Sequence, residues 1–474
     1  MGGFFGVVSR QDAVEQIFFG TDYHTHLASH RAGLVVYGHE QGFQREIHNI
    51  ERDPFRSKFI GVLESMQGTS GLGCISNTSP SPLIIVSALG TYAICFIGAI
   101  NNKGSLVQEL LAQKGFHFDA LTRGVVNEVE LLASLINQKD SFVEGILYAQ
   151  EKIEGSCNLL LLTDRSELYA ARDKFGRIPL CVGQSEDGFA FSSESFALAK
   201  VGFEPVKELG PNEVVKATPT GLETLSPAGE HMKICSFLWN YYGYPSSSYE
   251  GRNVEVVRYR NGRILAKNEA DHELFDQLDY VCGVPDSGVA HAIGYAKASE
   301  VDYARCFIKY SPSWSRSFMP AKQVSRNQIA KMKQLPIKDL IEGKSLLFVD
   351  DSVVRGTQFK ETVDFLKDNG ANEVHMRSAC PPMMYPCKYL NFNARIKPTE
   401  LITRRLILEL EGEKGLEHIA EYADGQTERG QKLRSLMAEK FNFKTVDFQS
   451  LQGLIEAIDL DPKCLCTYCW NGEE

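Results

Sequence analysis

The densest chemistry in the sequence lies in two adjacent carboxylates, Asp350 and Asp351, which follow the apolar Leu346-Leu-Phe-Val349 and precede Ser352-Val-Val-Arg-Gly-Thr357. Neighbouring carboxylates repel each other, so a cation or sugar hydroxyls should share their site. Ser352, Gly356 and Thr357 add hydroxyls and unhindered backbone N–H groups where a helix is predicted to start, a cradle for an anion and most often for phosphate. Acids beside a phosphate nest predict one ligand with both a diol and a phosphate, a ribose 5-phosphate. An ordinary acidic helix cap would account for a bare Asp-Asp-Ser. It does not account for the full run of apolar strand, acids, Arg355-Gly-Thr and helix. A second polar loop, Val284-Pro-Asp-Ser-Gly288, stands upstream. There Ser287 offers an oxygen to a metal ion and Gly288 permits close backbone approach, although alone the motif is only a good turn.

The flanking residues must form elements that hold these groups. Leu346–Val349 is apolar without alternation, which predicts a strand covered on both faces, with the acids at its carboxyl end, where open α/β sheets bind ligands. Tyr280–Gly283 predicts a second strand, leading through the polar loop into a helix over Val289–Lys297. From Lys309 to Lys333 there are six Lys or Arg and no Asp or Glu, which predicts a basic lid over a polyanion. Leu401–Leu410 and Leu451–Ile458 have helical spacing.

At 474 residues, two domains are expected. The net charge of −10 argues against a general nucleic-acid binder. No apolar run reaches membrane-spanning length, and the start lacks a basic region followed by a long apolar one, which predicts a cytoplasmic protein with no membrane partner. In that compartment the 12 cysteines are read as thiols or metal ligands; Cys466-Thr-Tyr-Cys469 is half of a metal site, open to zinc, redox or neither. At the other end, Gly3–Val8 and Ala32–Gly38 predict strands. The His- and Arg-rich Asp22–Gly33 is read as a satisfied loop, because no acidic or Cys partner completes a ligand set.

Val349-Asp-Asp-Ser-Val-Val-Arg-Gly-Thr357 resembles the phosphoribosyl pyrophosphate (PRPP) loop of type I phosphoribosyltransferases, and its wording is similar to the amidophosphoribosyltransferase family. The resemblance implies an N-terminal class II glutamine amidotransferase-like domain over 1–232, an Ntn-hydrolase-type αββα sandwich, and a type I phosphoribosyltransferase α/β domain over 233–474. Segments such as Ala171-Arg-Asp-Lys-Phe-Gly-Arg-Ile-Pro-Leu180 and Phe191-Ser-Ser-Glu-Ser-Phe196 carry the first half. PRPP is then expected at Asp286, Ser287, Gly288, Lys309, Arg316, Asp350, Asp351, Ser352, Arg355, Gly356 and Thr357. Mg²⁺ is expected at Ser287, Asp350 and Asp351. The resemblance also implies a [4Fe–4S] cluster on Cys235, Cys387, Cys466 and Cys469, four thiolates that chemistry alone would equally give to zinc.

The glutaminase positions depart from the family. Gly2 replaces the nucleophilic Cys, Ser76 the Arg that grips the glutamine carboxylate, Ile97 the oxyanion-hole Asn and Val126 the Asp that holds the glutamine amine. The expectation is an enzyme forming 5-phosphoribosylamine from PRPP with free ammonia, or ammonia from a partner protein, assembled as a homo-oligomer. The competing readings are a glutamine-dependent amidophosphoribosyltransferase and a PRPP-sensing regulator without enzyme activity.

Overall fold

The computed structural model describes residues 2–28, 30–122, 124–309, 334–390 and 397–473. Strand β1 (Gly3–Ser9) lies inside a seven-stranded antiparallel sheet, between Gly188–Ser192 and β2 (Ser70–Ser76). A six-stranded antiparallel sheet contains β3 (Gly90–Ile100) paired with β4 (Gly155–Thr163).

The alternation in β1 explains why the sheets stack. Phe4 and Val8 point inward with Leu72 and Cys74, against Ala93, Cys95, Ile97 and Leu160 of the second sheet. Phe5 and Val7 point outward, where α1 (Val14–Asp22) covers them with Ile17 and Phe18. The far face of the second sheet is covered by α2 (Glu128–Ile136) and by Phe142–Lys152. The expected αββα sandwich is therefore present.

Beyond the sandwich, β5 (Ile234–Cys235) leads to α3 (Val254–Lys267), β6 (Tyr280–Gly283) and α4 (Val289–Ser299). Then come β7 (Phe307–Lys309), β8 (Ser345–Asp350), α5 (Thr357–Asp368), β9 (Glu373–Ser378), β10 (Val446–Phe448) and β11 (Leu465–Cys466). Strands β6, β8, β9 and β10 form, in that order, a parallel sheet. Leu347 and Val349 of β8 pack toward α3 and α4, and Leu346 and Phe348 toward α5 and the C-terminal helices. Both faces are covered, as the unbroken apolar run predicts. The helices expected near 401–410 and 451–458 are Ile402–Glu411 and Leu451–Ile458. Among the described residues, no helix is long and apolar enough to cross a membrane.

The segment expected as a loop over Asp22–Gly33 differs. Helix α1 continues into a tight turn over Tyr23–His26, and β-structure resumes at Arg31. His24 is fully buried, with Nδ1 on the Gly20 carbonyl and Nε2 on the Ser192 hydroxyl. Desolvation lowers its pKa to about 4, so it packs as a neutral ring. An acidic partner does reach this segment: Glu194 lies 3.1 Å from His26 Nε2. It comes from a distant strand end, which no local sequence window could supply.

Candidate active site and thiolate centre

Asp350 is the last residue of β8. The chain leaves the sheet there, passes Asp351 and Ser352, and enters α5 through Gly356 at φ +78°. A Cβ at Gly356 would also lie 2.5 Å from the Phe441 ring, so both conformation and space demand glycine. Gly288, at the end of the upstream loop, has a similar constraint: its Cβ would stand 2.1 Å from the Val349 carbonyl oxygen. The Val284 N–H donates to that carbonyl at 3.0 Å. These contacts lay the Pro285–Ser287 turn over the end of β8.

The two loops thereby meet. Ser287 Oγ donates to Asp350 Oδ1 at 2.8 Å, and the Asp351 N–H donates to the same oxygen at 2.8 Å. Ser352 Oγ donates to the Asp351 carboxylate. Both acids are buried, 8 % and 5 % exposed. Burial, then the charge of Asp351, pushes the Asp350 carboxyl well above the ordinary range, and burial raises Asp351 as well. The charge of Arg258, one of the influences opposing the rise at Asp351, is committed to the carbonyls of Trp239, Tyr241 and Gly243. Two desolvated carboxylates with a hydroxyl beside them fit the donor set of a hard divalent cation.

Asp286 has φ +69°, and its carboxylate pairs with Lys309 Nζ at 2.6 Å on the exposed rim. Arg355 is exposed, and its carbonyl accepts from Arg405. The helix starts at Thr357 as expected. Arg316 and most of the predicted basic lid lie outside the described residues.

The four expected cysteine ligands converge at the junction of the halves. Cys235 and Cys466 face each other across the parallel pairing of β5 with β11. Cys387 and Cys469 complete the lining of one cavity with Arg177, Tyr389 and Trp470. A hydrogen bond from Cys469, more than any other influence, pulls the Cys387 thiol down to about 7. Arg177 Nη1 lies 3.3 Å from the Cys466 sulfur. Its Nε is buried and has no hydrogen-bond acceptor among the described residues. Four thiols and an under-satisfied guanidinium suit an anionic metal–thiolate group, although among the described residues no three ligand-type side chains are already drawn into a coordinating group. Cys464 is not among the residues lining the cavity.

The four positions at which the sequence departs from the glutaminase pattern have the following surroundings. Gly2 is buried, and a Cβ there would lie 2.2 Å from the Ile75 carbonyl oxygen. Ser76 hydrogen-bonds Thr78. Ile97 is buried between the sheets, opposite Asn158 on β4. Asn158 donates to the Ile178 and Pro179 carbonyls and accepts from the Asp173 N–H, a structural use of its amide. Val126 precedes Asn127, which caps α2. Cys74 is 1 % exposed and packed beside Cys95, far from the exposed, electropositive setting of a reactive thiol.

Residues 74–200 match the glutamine amidotransferase domain family. The amidophosphoribosyltransferase of Methanocaldococcus jannaschii is 28 % identical, over 100 % of this chain and 97 % of its own. That of Bacillus subtilis is 29 % identical, over 82 % of this chain and 80 % of its own. The chain is a homologue of the amidophosphoribosyltransferases. Among solved structures, the Bacillus subtilis glutamine PRPP amidotransferase complexed with ADP and GMP superimposes with a TM-score of 0.83 at 26 % identity, covering 99 % of this chain and 96 % of that one. The amidophosphoribosyltransferase architecture, an Ntn-type sandwich followed by a phosphoribosyltransferase sheet, thus extends over both halves.

Proposed function

We propose that this protein is an amidophosphoribosyltransferase that forms 5-phosphoribosylamine and pyrophosphate from PRPP in purine biosynthesis, with ammonia as the nitrogen donor. The observation that carries the transferase reading is the Ser287–Asp350 contact, which joins the pyrophosphate-type turn to the acid pair. We place the domain division near residue 232, where the antiparallel sandwich has ended and β5 begins the second half.

In this reading Asp350 and Asp351 accept the ribose hydroxyls, and the N–H groups at the start of α5 hold the 5-phosphate. Lys309 and Asp286 flank the leaving pyrophosphate, with Ser287 between the two loops. Mg²⁺, held by Ser287, Asp350 and Asp351, would neutralise and orient that leaving group. Ammonia needs little activation when neutral, so the protein's task at C1′ is to align it and to exclude water from the oxocarbenium-like carbon. The four cysteines would hold a [4Fe–4S] cluster in a structural role, since the displacement requires no electron.

The choice of ammonia rests on Gly2, Ser76, Ile97 and Val126, none of which offers a nucleophile, carboxylate clamp, oxyanion donor or amine clamp. A partner protein could then supply ammonia in the cytoplasm. The intact sandwich and the likeness to the Bacillus subtilis glutamine PRPP amidotransferase favour a second reading, in which glutamine is the donor.

One assay separates them: pyrophosphate release from PRPP and Mg²⁺ with ammonium, with glutamine, or with neither. Release with ammonium alone supports the proposal. Release with glutamine supports the second reading, and no release with either donor removes the enzyme assignment.

A further inference from the structure

Behind the acid pair lies a buried polar group that none of the roles above uses. Asn240, Asn261 and Gln449 are each 1 % exposed, and His291 is fully buried. They come from four places in the chain: the junction segment after Cys235, α3, α4 and the residue following β10. Asn240 sits in a single π-helical turn, Leu238–Tyr242, and such turns are rare, and frequent at functional sites.

The hydrogen bonds run in one direction and end at the acid pair. Gln449 Nε2 donates to Asn261 Oδ1 at 2.9 Å. Asn261 Nδ2 faces three acceptors: the Ala379 carbonyl at 2.6 Å, Asn240 Oδ1 at 3.3 Å and His291 Nδ1 at 3.3 Å. His291 Nε2 donates to the Asn240 carbonyl at 3.2 Å. Burial, the largest influence on the ring, lowers its pKa to about 3 and keeps it neutral. Asn240 Nδ2 then donates to the Asp351 carbonyl at 2.8 Å. From the other side, the Ala379 N–H donates to the Asp350 carbonyl at 2.8 Å. The peptide carbonyls of both acids are therefore held from behind, one by Asn240 and the other by Ala379, whose own carbonyl Asn261 grips.

We propose that Asn240, steered by Asn261 and His291, is a positioning residue that fixes the backbone of Asp351 so that the acid pair meets Mg²⁺ and the ribose of PRPP in the binding geometry. An apolar residue at 240 would leave the Asp351 carbonyl buried without a donor, and the turn would have to rotate to recover one. Gln449, two links away, contributes buried bonds to the same core without touching either acid. This inference rests on the PRPP reading of the site.

The test is calorimetric titration of Mg²⁺ and PRPP into the wild-type chain, Asn240→Leu and Gln449→Met, with thermal unfolding of all three. A positioning role predicts that Asn240→Leu binds PRPP about fivefold or more weakly. Gln449→Met should lower the melting temperature comparably yet bind within about twofold of wild type. Should Asn240→Leu not fold, Asn240→Ser, polar but too short to reach the Asp351 carbonyl, is read on the same scale. Wild-type affinity in the Asn240 variant, or equal weakening in the Asn240 and Gln449 variants, overturns the proposal. Failure of all three proteins, wild type included, to bind PRPP overturns the PRPP reading itself.

Discussion

Ser287 and Asp350 share a hydrogen bond of 2.8 Å across a sequence separation of 63 residues. This contact makes one site of two motifs that are individually unremarkable turns. It also places an uncharged oxygen where a cation bridging pyrophosphate to the carboxylates would need one. Replacing Asp350 by Asn keeps the shape and removes the charge. Pyrophosphate release with ammonium should then fall on the order of 10²-fold or more, the scale seen when one preorganised charge-stabilising group is lost. Steady-state kinetics at saturating Mg²⁺ measures it.

The same substitution should stabilise the empty protein. Burial and, for Asp350, repulsion by Asp351 raise both folded-state carboxyls above their ordinary values. The ligand-free fold therefore holds protons here that the unfolded chain has already released. The pair's contribution to stability is full below the unfolded Asp pKa of about 3.9 and is lost as pH rises through the raised folded values. At pH ~7 without Mg²⁺, Asp350→Asn should melt above wild type, by roughly 2–4 °C for each kcal/mol recovered in a domain of this size. The gap should shrink toward pH ~4 as the wild-type acids protonate. A melting series over pH, repeated with Mg²⁺ and PRPP, shows whether ligand reverses the order.

Lys309 and Asp286 form an exposed pair, 56 % and 71 % accessible at the side chain. Such pairs contribute about 0–1 kcal/mol to stability. Lys309→Ala should leave the melting temperature nearly unchanged while raising KM for PRPP, because the cation faces the predicted pyrophosphate position. A fall in stability with an unchanged KM would place Lys309 outside the site.

Gly2 is tightly enclosed. The purified protein should release no glutamate from glutamine, and Gly2→Cys should not restore release, since its Cβ would press on the Ile75 carbonyl at 2.2 Å and the three other replaced positions still lack their partners. Glutamate assays on both proteins, with and without PRPP, check this. Glutamate release by the wild type would favour the glutamine-dependent reading.

Cys387→Ser should abolish metal binding at the junction. With a [4Fe–4S] cluster, anaerobically purified wild type carries about four iron atoms per chain and the variant almost none. The variant should also melt lower, because β5 and β11 meet at this centre. Elemental analysis showing stoichiometric zinc instead would reassign the metal and keep the site.

Much of the second half was legible in the sequence because its signals are local. The unbroken apolar run before Asp350, the acids at its end and the glycine entering α5 all follow from the steric and burial demands of a parallel strand feeding a helix. The paired cysteines at 466 and 469 were likewise legible by type. The tertiary structure decided what depends on contacts between distant segments. It brought Ser287 to Asp350, Cys235 opposite Cys466, Glu194 to His26, and Asn240, Asn261 and His291 behind Asp351. A buried polar side chain needs a partner of matching donor sense, and which segment supplies it is set by how sheets and helices stack. One-dimensional spacing carries strand and helix periods, but it does not carry that choice.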